Sequence, residues 1–190
     1  MTTSASTNVT TRSTRTRSSA VLAWVSAAAR VGLAVVFLTA GLLKAVDPQS
    51  SVAAVRAYEA LPAGLTTLVG WGLPFVELAL GVLLLVGVAT RAVAMAAAGL
   101  LVVFVAGVLS AAARGLSIDC GCFGGGGAVA PDQTAYAVEI ARDLAFLVLT
   151  GWLVRRPGSR WSLDGRLHRV ASLPGHARPG RAVRPSARTG

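Results

Sequence analysis

An all-α bundle of four membrane-spanning helices with disordered basic cytoplasmic tails is the fold this sequence predicts, and three observations predict it. Of 190 residues, 54% are hydrophobic and 14% charged, where a soluble domain carries about a quarter charged; the mean hydropathy is +0.64. The apolar residues gather into four runs, each long enough to cross a bilayer. Seventeen of the 18 basic residues are Arg, and most lie before the first run or after the last.

The elements follow in order. Residues 1–19 are mainly Ser, Thr and Arg with little to bury, so 1–26 read as a disordered basic tail and juxtamembrane segment. The first span covers about 27–46, and its Arg30 is expected at headgroup level, the guanidinium reaching back to water. A competing reading makes Arg12 to Arg17, "AVLAWV" and "SAAA" a secretory signal peptide cleaved near Ala29. That apolar core is very short and another apolar stretch follows directly, which favours the span.

The second span, 65–88, has 24 residues and one charge, Glu77. At about 1.5 Å per residue it crosses a hydrocarbon core of about 30 Å. Pro74 predicts a kink, and Gly70, Gly72 and Gly81 predict close helix contact. The third span, 92–113, has no charge in 22 residues. The fourth, 135–154, is long enough but carries Glu139, Arg142 and Asp143. Between the first two spans, "RAYEALP", Arg56 to Pro62, reads as an amphipathic segment on the membrane surface, with Tyr58 and Trp71 at the headgroups. The membrane domain is therefore 27–154, and 155–190 form an Arg-rich C-terminal tail.

The net charge of +10 does not indicate a nucleic-acid partner, because no aromatic interleaving or basic recognition helix accompanies it. Arg collected at both ends marks cytoplasmic flanks, with anionic membrane lipids as counterions. Both termini inside the cell membrane require an even number of spans. The turn at Ala89 to Arg91 then also lies inside, and loops 45–64 and 114–134 face outward, where disulfides persist.

The outer loop "IDCGCFGGGG", Ile118 to Gly127, holds the chain's two cysteines, Cys120 and Cys122. Closing a disulfide between them requires a sharp turn, which Gly121 permits. A one-residue loop removes almost no chain entropy, so a staple is a poor reason for the pair. Strained, exposed disulfides are the ones used in exchange. Two other readings stand beside this one: an inert tight turn, and a metal site. Zinc wants four ligands, but His168 and His176 fall in the cytoplasmic tail, leaving only Asp119 and Asp132 nearby; no metal is expected.

Charges within the spans are the second signal. Glu77 must be protonated or paired. Glu139, Arg142 and Asp143 share one helix face, which should turn inward. At the helical rise Arg142 lies about 10 Å and Glu77 about 18 Å from the outer end, so the Arg side chain is expected to approach Glu77. The pair is either a packing device or part of proton handling, and either way a polar patch lies beneath the cysteine loop. Lys44, the lone lysine, ends the first span as an interfacial anchor or as a charge that lowers a cysteine pKa.

In this order "RVGLAVVFLTAGLLKAVDP", "YEALP", "LPFVELALGVLLLVG", "CGCFG" and "RDLAFLVL" resemble the methylamine utilisation MauE family, within the DoxX-like integral membrane proteins, over about Arg30 to Leu153. Lys44, Glu77 and the Arg142–Asp143 pair add to the resemblance. It implies a four-helix membrane protein that supports disulfide formation or transport during maturation of an extracytoplasmic enzyme, within methylamine metabolism. More remotely, the chain is similar to four-helix membrane oxidases such as DsbB and vitamin K epoxide reductase, which use two cysteine pairs. With one pair, electrons would pass directly to a quinone, the one cofactor this implies, or to a thioredoxin-like or other extracytoplasmic thiol protein. The resulting activity is that of a thiol-disulfide oxidoreductase in which either cysteine is a candidate attacker. The rival is a non-enzymatic membrane subunit or assembly factor with a structural CGCFG turn, and a third reading is a small-solute transporter using Glu77.

Overall fold

A computed structural model describes residues 7–156, with side chains from residue 20 onward. Helix α1 runs Thr7–Val46, α2 Pro48–Ala57, α3 Ala63–Val86, α4 Thr90–Ala113 and α5 Tyr136–Arg155. Between α4 and α5, strand β1, Ile118–Asp119, pairs antiparallel with β2, Gly127–Ala128, and a short 3-10 turn follows at Pro131–Gln133. Helices thus occupy all four apolar runs. Among the described residues three stretches are long and apolar enough to cross a membrane, Ala20–Val46, Ala63–Val86 and Thr90–Ala113. The chain is therefore a multi-pass membrane protein. The fourth helix, α5, has 20 residues, but Glu139, Arg142 and Asp143 dilute its apolar character.

The first helix departs most from expectation. Instead of a disordered segment to residue 26, the backbone is helical from Thr7. Extending a helix already nucleated by the span needs only propagation, residue by residue, and not a new nucleus. Residues 1–6 and 157–190 of the expected tails lie outside the described residues. Arg30 also differs: it is 2% exposed and does not reach back to headgroups. It belongs to a buried stripe of Ser26, Ala29, Leu33, Ala34, Phe37, Ala40 and Lys44 that repeats at helical spacing. Near that end, Trp152 Nε1 donates to Ser26 Oγ at 3.1 Å, tying α5 to α1.

Packing follows from small residues. Helix α1 lies along α3, and α4 along α5, while the consecutive α3 and α4 touch little. A Cβ on Gly41 would sit 2.8 Å from the Pro74 carbonyl oxygen, and one on Gly81 2.7 Å from Leu38, so these glycines allow the α1–α3 approach. Gly70 likewise abuts Val52 of α2 at 2.7 Å, whereas Gly72 meets nothing within 4 Å and takes no part. The core joins Leu33 and Phe37 to Leu80, Leu84, Ala97, Leu101 and Leu153. Outside it, Phe75, Val103 and Val148 are exposed, as suits side chains in contact with lipid.

Pro74 has a specific consequence. Lacking an N–H, it leaves the Gly70 carbonyl without its intrahelical donor, and in lipid such a group must find another. Ser51 Oγ of α2 supplies it, donating at 2.8 Å. Helix α2 starts at an Asp47 N-cap, whose Oδ1 accepts from the Ser50 N–H at 3.1 Å, with proline at the first position. The amphipathic segment expected at Arg56 to Pro62 thus sits earlier, and it does not simply lie on the membrane. It buries Ser51, Val52 and Ala54 and caps the end of the bundle where the cysteine loop lies.

Candidate thiol site

The β1–β2 register, Ile118 opposite Ala128 and Asp119 opposite Gly127, closes residues 120–126 into a tight loop. Asp119 Oδ1 accepts from the Gly121 N–H at 3.1 Å, and Gly121 has φ +67°, a left-handed conformation that glycine adopts without strain. The loop is pressed on α2: a Cβ on Gly126 would lie 2.5 Å from Ala54 Cβ and 2.7 Å from Gly121 Cα. This turn throws both cysteine side chains to one side. Their Sγ atoms are 2.7 Å apart and both thiols are free and half-buried.

The polar patch expected beneath the loop is present, but its pairing differs. Lys44, 5% exposed, is no interfacial anchor: Nζ lies 2.5 Å from Glu77 Oε1 and donates to the Cys122 carbonyl oxygen at 3.2 Å. Glu77, 1% exposed, is therefore paired by Lys44 and not by Arg142. Arg142 turns instead to the sulfur. Its Nε is 3.2 Å from Asp143 Oδ1, its Nη2 donates to Cys120 Sγ at 3.8 Å, and its guanidinium stacks 4.9 Å from the Phe123 ring centre. Glu139 and Asp143 both face inward, and Glu139 Oε1 accepts from the Cys120 N–H at 3.4 Å.

These contacts make the two thiols unequal. The hydrogen bond shared with Cys122, the Cys122 backbone N–H at 3.3 Å and the Arg142 guanidinium hold Cys120 below the ordinary thiol pKa, against the opposing effect of burial. That same shared hydrogen bond, burial and the negative charge on Cys120 push Cys122 well above it. Of the two, Cys120 is thus the sulfur that gives up its proton more readily, and Cys122 the one that holds it more tightly. As for metal, among the described residues the ligand atoms of Asp119, Cys120 and Glu139 lie within 4.8 Å of one another, with Glu139 and not Asp132 beside Asp119.

The sequence reading named Cys120, Gly121, Cys122, Lys44, Glu77, Arg142 and Asp143, and the structure gathers all of them at one end of the bundle. It named Asp119 only as a possible metal ligand, although that residue holds the loop, and it missed Phe123, which stacks on the guanidinium, and α2, whose Asp-Pro start was the available signal.

Helical bundle, capping helix and thiol loop together define a class: multi-pass membrane proteins with a free cysteine pair held over buried charges at one end. Within it, the chain belongs to the methylamine utilisation protein MauE family, whose profile matches residues 22–156. It is 39% identical over 100 residues to the methylamine utilization protein MauE of Paracoccus denitrificans, covering 52% of this chain and 54% of that relative. The chain thus spans about half the length of the curated relative it matches. No solved structure matches the chain.

Proposed function

We propose that this protein performs thiol-disulfide exchange at the outer face of the membrane, serving the maturation of extracytoplasmic proteins of the methylamine-utilisation type. The observation that carries the reading is the inequality of the pair: Arg142 and the Cys122 N–H both point at Cys120 Sγ, and the second sulfur stands 2.7 Å away. A partner thiolate attacks the Cys120–Cys122 disulfide at Cys120 and forms a mixed disulfide, releasing Cys122 as a thiol. The partner's second thiol then displaces Cys120 as a thiolate, so the partner leaves as a disulfide and the pair is left reduced. The outward placement rests on the Arg-rich ends and on α5 as a fourth span. Helix α5 is about 30 Å long, turns Glu139 and Asp143 inward and leaves Val138, Leu144 and Val148 exposed. A second reading, a structural turn in an assembly subunit, draws on the Lys44 bond to the Cys122 carbonyl, which would hold such a turn.

Trapping separates the two. In intact cells run on non-reducing gels, Cys122→Ser accumulates mixed disulfides through Cys120, and Cys120→Ser accumulates few. Absence of any cross-linked species in both variants would leave the structural reading.

A further inference from the structure

A cavity of about 300 Å³ opens beside the thiol pair. It lies where α3 and α4 touch little, walled by Val69 and Leu73 of α3 and Val103 and Phe104 of α4, and covered by α2 and Tyr58. Cys120, Cys122 and Lys44 line one end. Its volume is at the lower bound of ligand pockets, whose walls are mainly apolar with a few placed polar groups. Val103 is 64% exposed on a helix apolar enough to span, so the cavity borders the lipid.

The electron count narrows the occupant. The chain has two cysteines in all, so once the pair has taken two electrons from a partner dithiol, no second pair within the chain can receive them. The acceptor must be another molecule that reaches the sulfurs. Charged nicotinamide or flavin nucleotides do not suit apolar walls next to lipid. A planar, uncharged, lipid-soluble two-electron carrier does, and the Phe104 and Tyr58 rings suit a flat head group. Lys44 Nζ, 5.6 Å from the Phe104 ring centre, brings positive charge to the end where reduced oxygens would develop.

We propose that this cavity binds the head group of a membrane quinone, which reoxidises the Cys120–Cys122 pair directly. The step balances as follows. Cys120 enters as thiolate and Cys122 as thiol, the Cys122 S–H bond breaks and the sulfur–sulfur bond forms. The quinone accepts two electrons, one proton from Cys122 and one from water on the loop side, and leaves as the hydroquinone. This step rests on the exchange reading and adds its electron acceptor.

The test uses the full chain in detergent, reduced, desalted and mixed with decylubiquinone or, in parallel, with glutathione disulfide. Decylubiquinol is expected to form in equal amount to the pairs oxidised, with loss of two thiols each. Val103→Trp, which adds bulk at the lipid border, is expected to slow the quinone reaction at least tenfold more than the glutathione reaction. Leu73→Trp, from the opposite wall, is expected to do the same and guards against a local folding defect in one variant. Reaction with glutathione disulfide but not with decylubiquinone would overturn this inference and leave the exchange reading standing. Reaction with neither would overturn both. Equal slowing of the two reactions in both tryptophan variants, or no slowing, would remove the cavity as the quinone site.

Discussion

Cys120 and Cys122 differ because different groups touch them, and that difference is measurable. Only the thiolate alkylates, and the Cys120 pKa is depressed, so its reaction with iodoacetamide should reach half its maximal rate below the usual thiol value of about 8.5. Cys122, pushed up, should stay unreactive through the same range. Arg142→Gln removes a charge from Cys120 Sγ and should move the midpoint upward; peptide mapping of alkylation against pH reads all three, and equal rates at the two cysteines would contradict the assignment. Lys44 and Glu77 give a second prediction. Lys44→Ala leaves a buried carboxylate without its cation and should cost about 3 to 5 kcal/mol, whereas Lys44→Met with Glu77→Leu should recover most of it. Thermal unfolding in detergent checks this, and additive losses in the double variant would show that the two side chains are not coupled. Both residues were legible in the sequence as charges out of place in apolar runs. Their partnership was not, because the helical rise fixes depth along a span while the rotation of each helix, set by glycines such as Gly41 and Gly81, decides which charge faces which.

Helix α2 and the β1–β2 hairpin work as one element, because the loop glycines leave no room between them. Gly126→Ala would place a methyl group into Ala54 and impose a φ of +97° on alanine. It should loosen the loop and raise its hydrogen exchange, with only partial rescue by Ala54→Gly, since a left-handed alanine still costs about 1 to 2 kcal/mol. Full rescue would mean that contact alone sets the loop. Ser51→Ala strips the Gly70 carbonyl of its donor and should destabilise by about 1 to 3 kcal/mol, measured again by unfolding. The Asp47–Pro48 start of α2 was readable as a helix signal; strands of two residues are too short for any alternating pattern to show. The helical stretch before residue 20 was hidden for another reason: its composition carries no apolar stripe, and its helicity follows from continuity with the span.

At the scale of the whole molecule, composition places the helices in the membrane and charge decides which face carries the thiols. Apolar runs and terminal arginines in the sequence pointed to a multi-pass bundle because burial in lipid imposes composition directly, and the helices fall on those runs. Sidedness is an expectation from charge alone, and it predicts that in intact cells Cys120 and Cys122 react with a membrane-impermeant maleimide after mild reduction. A cysteine at Arg91, in the turn at the opposite end, should not; labelling at that position from outside would reverse the topology. The exchange role is most directly tested by equilibrating the purified full chain in glutathione buffers of graded ratio and counting the fraction of Cys120–Cys122 pairs oxidised. A two-electron transition between dithiol and disulfide is predicted, displaced toward the dithiol in Gly121→Val, where a branched side chain resists the turn. A pair that stays dithiol at every ratio, or a potential unmoved by Gly121→Val, would contradict the exchange role.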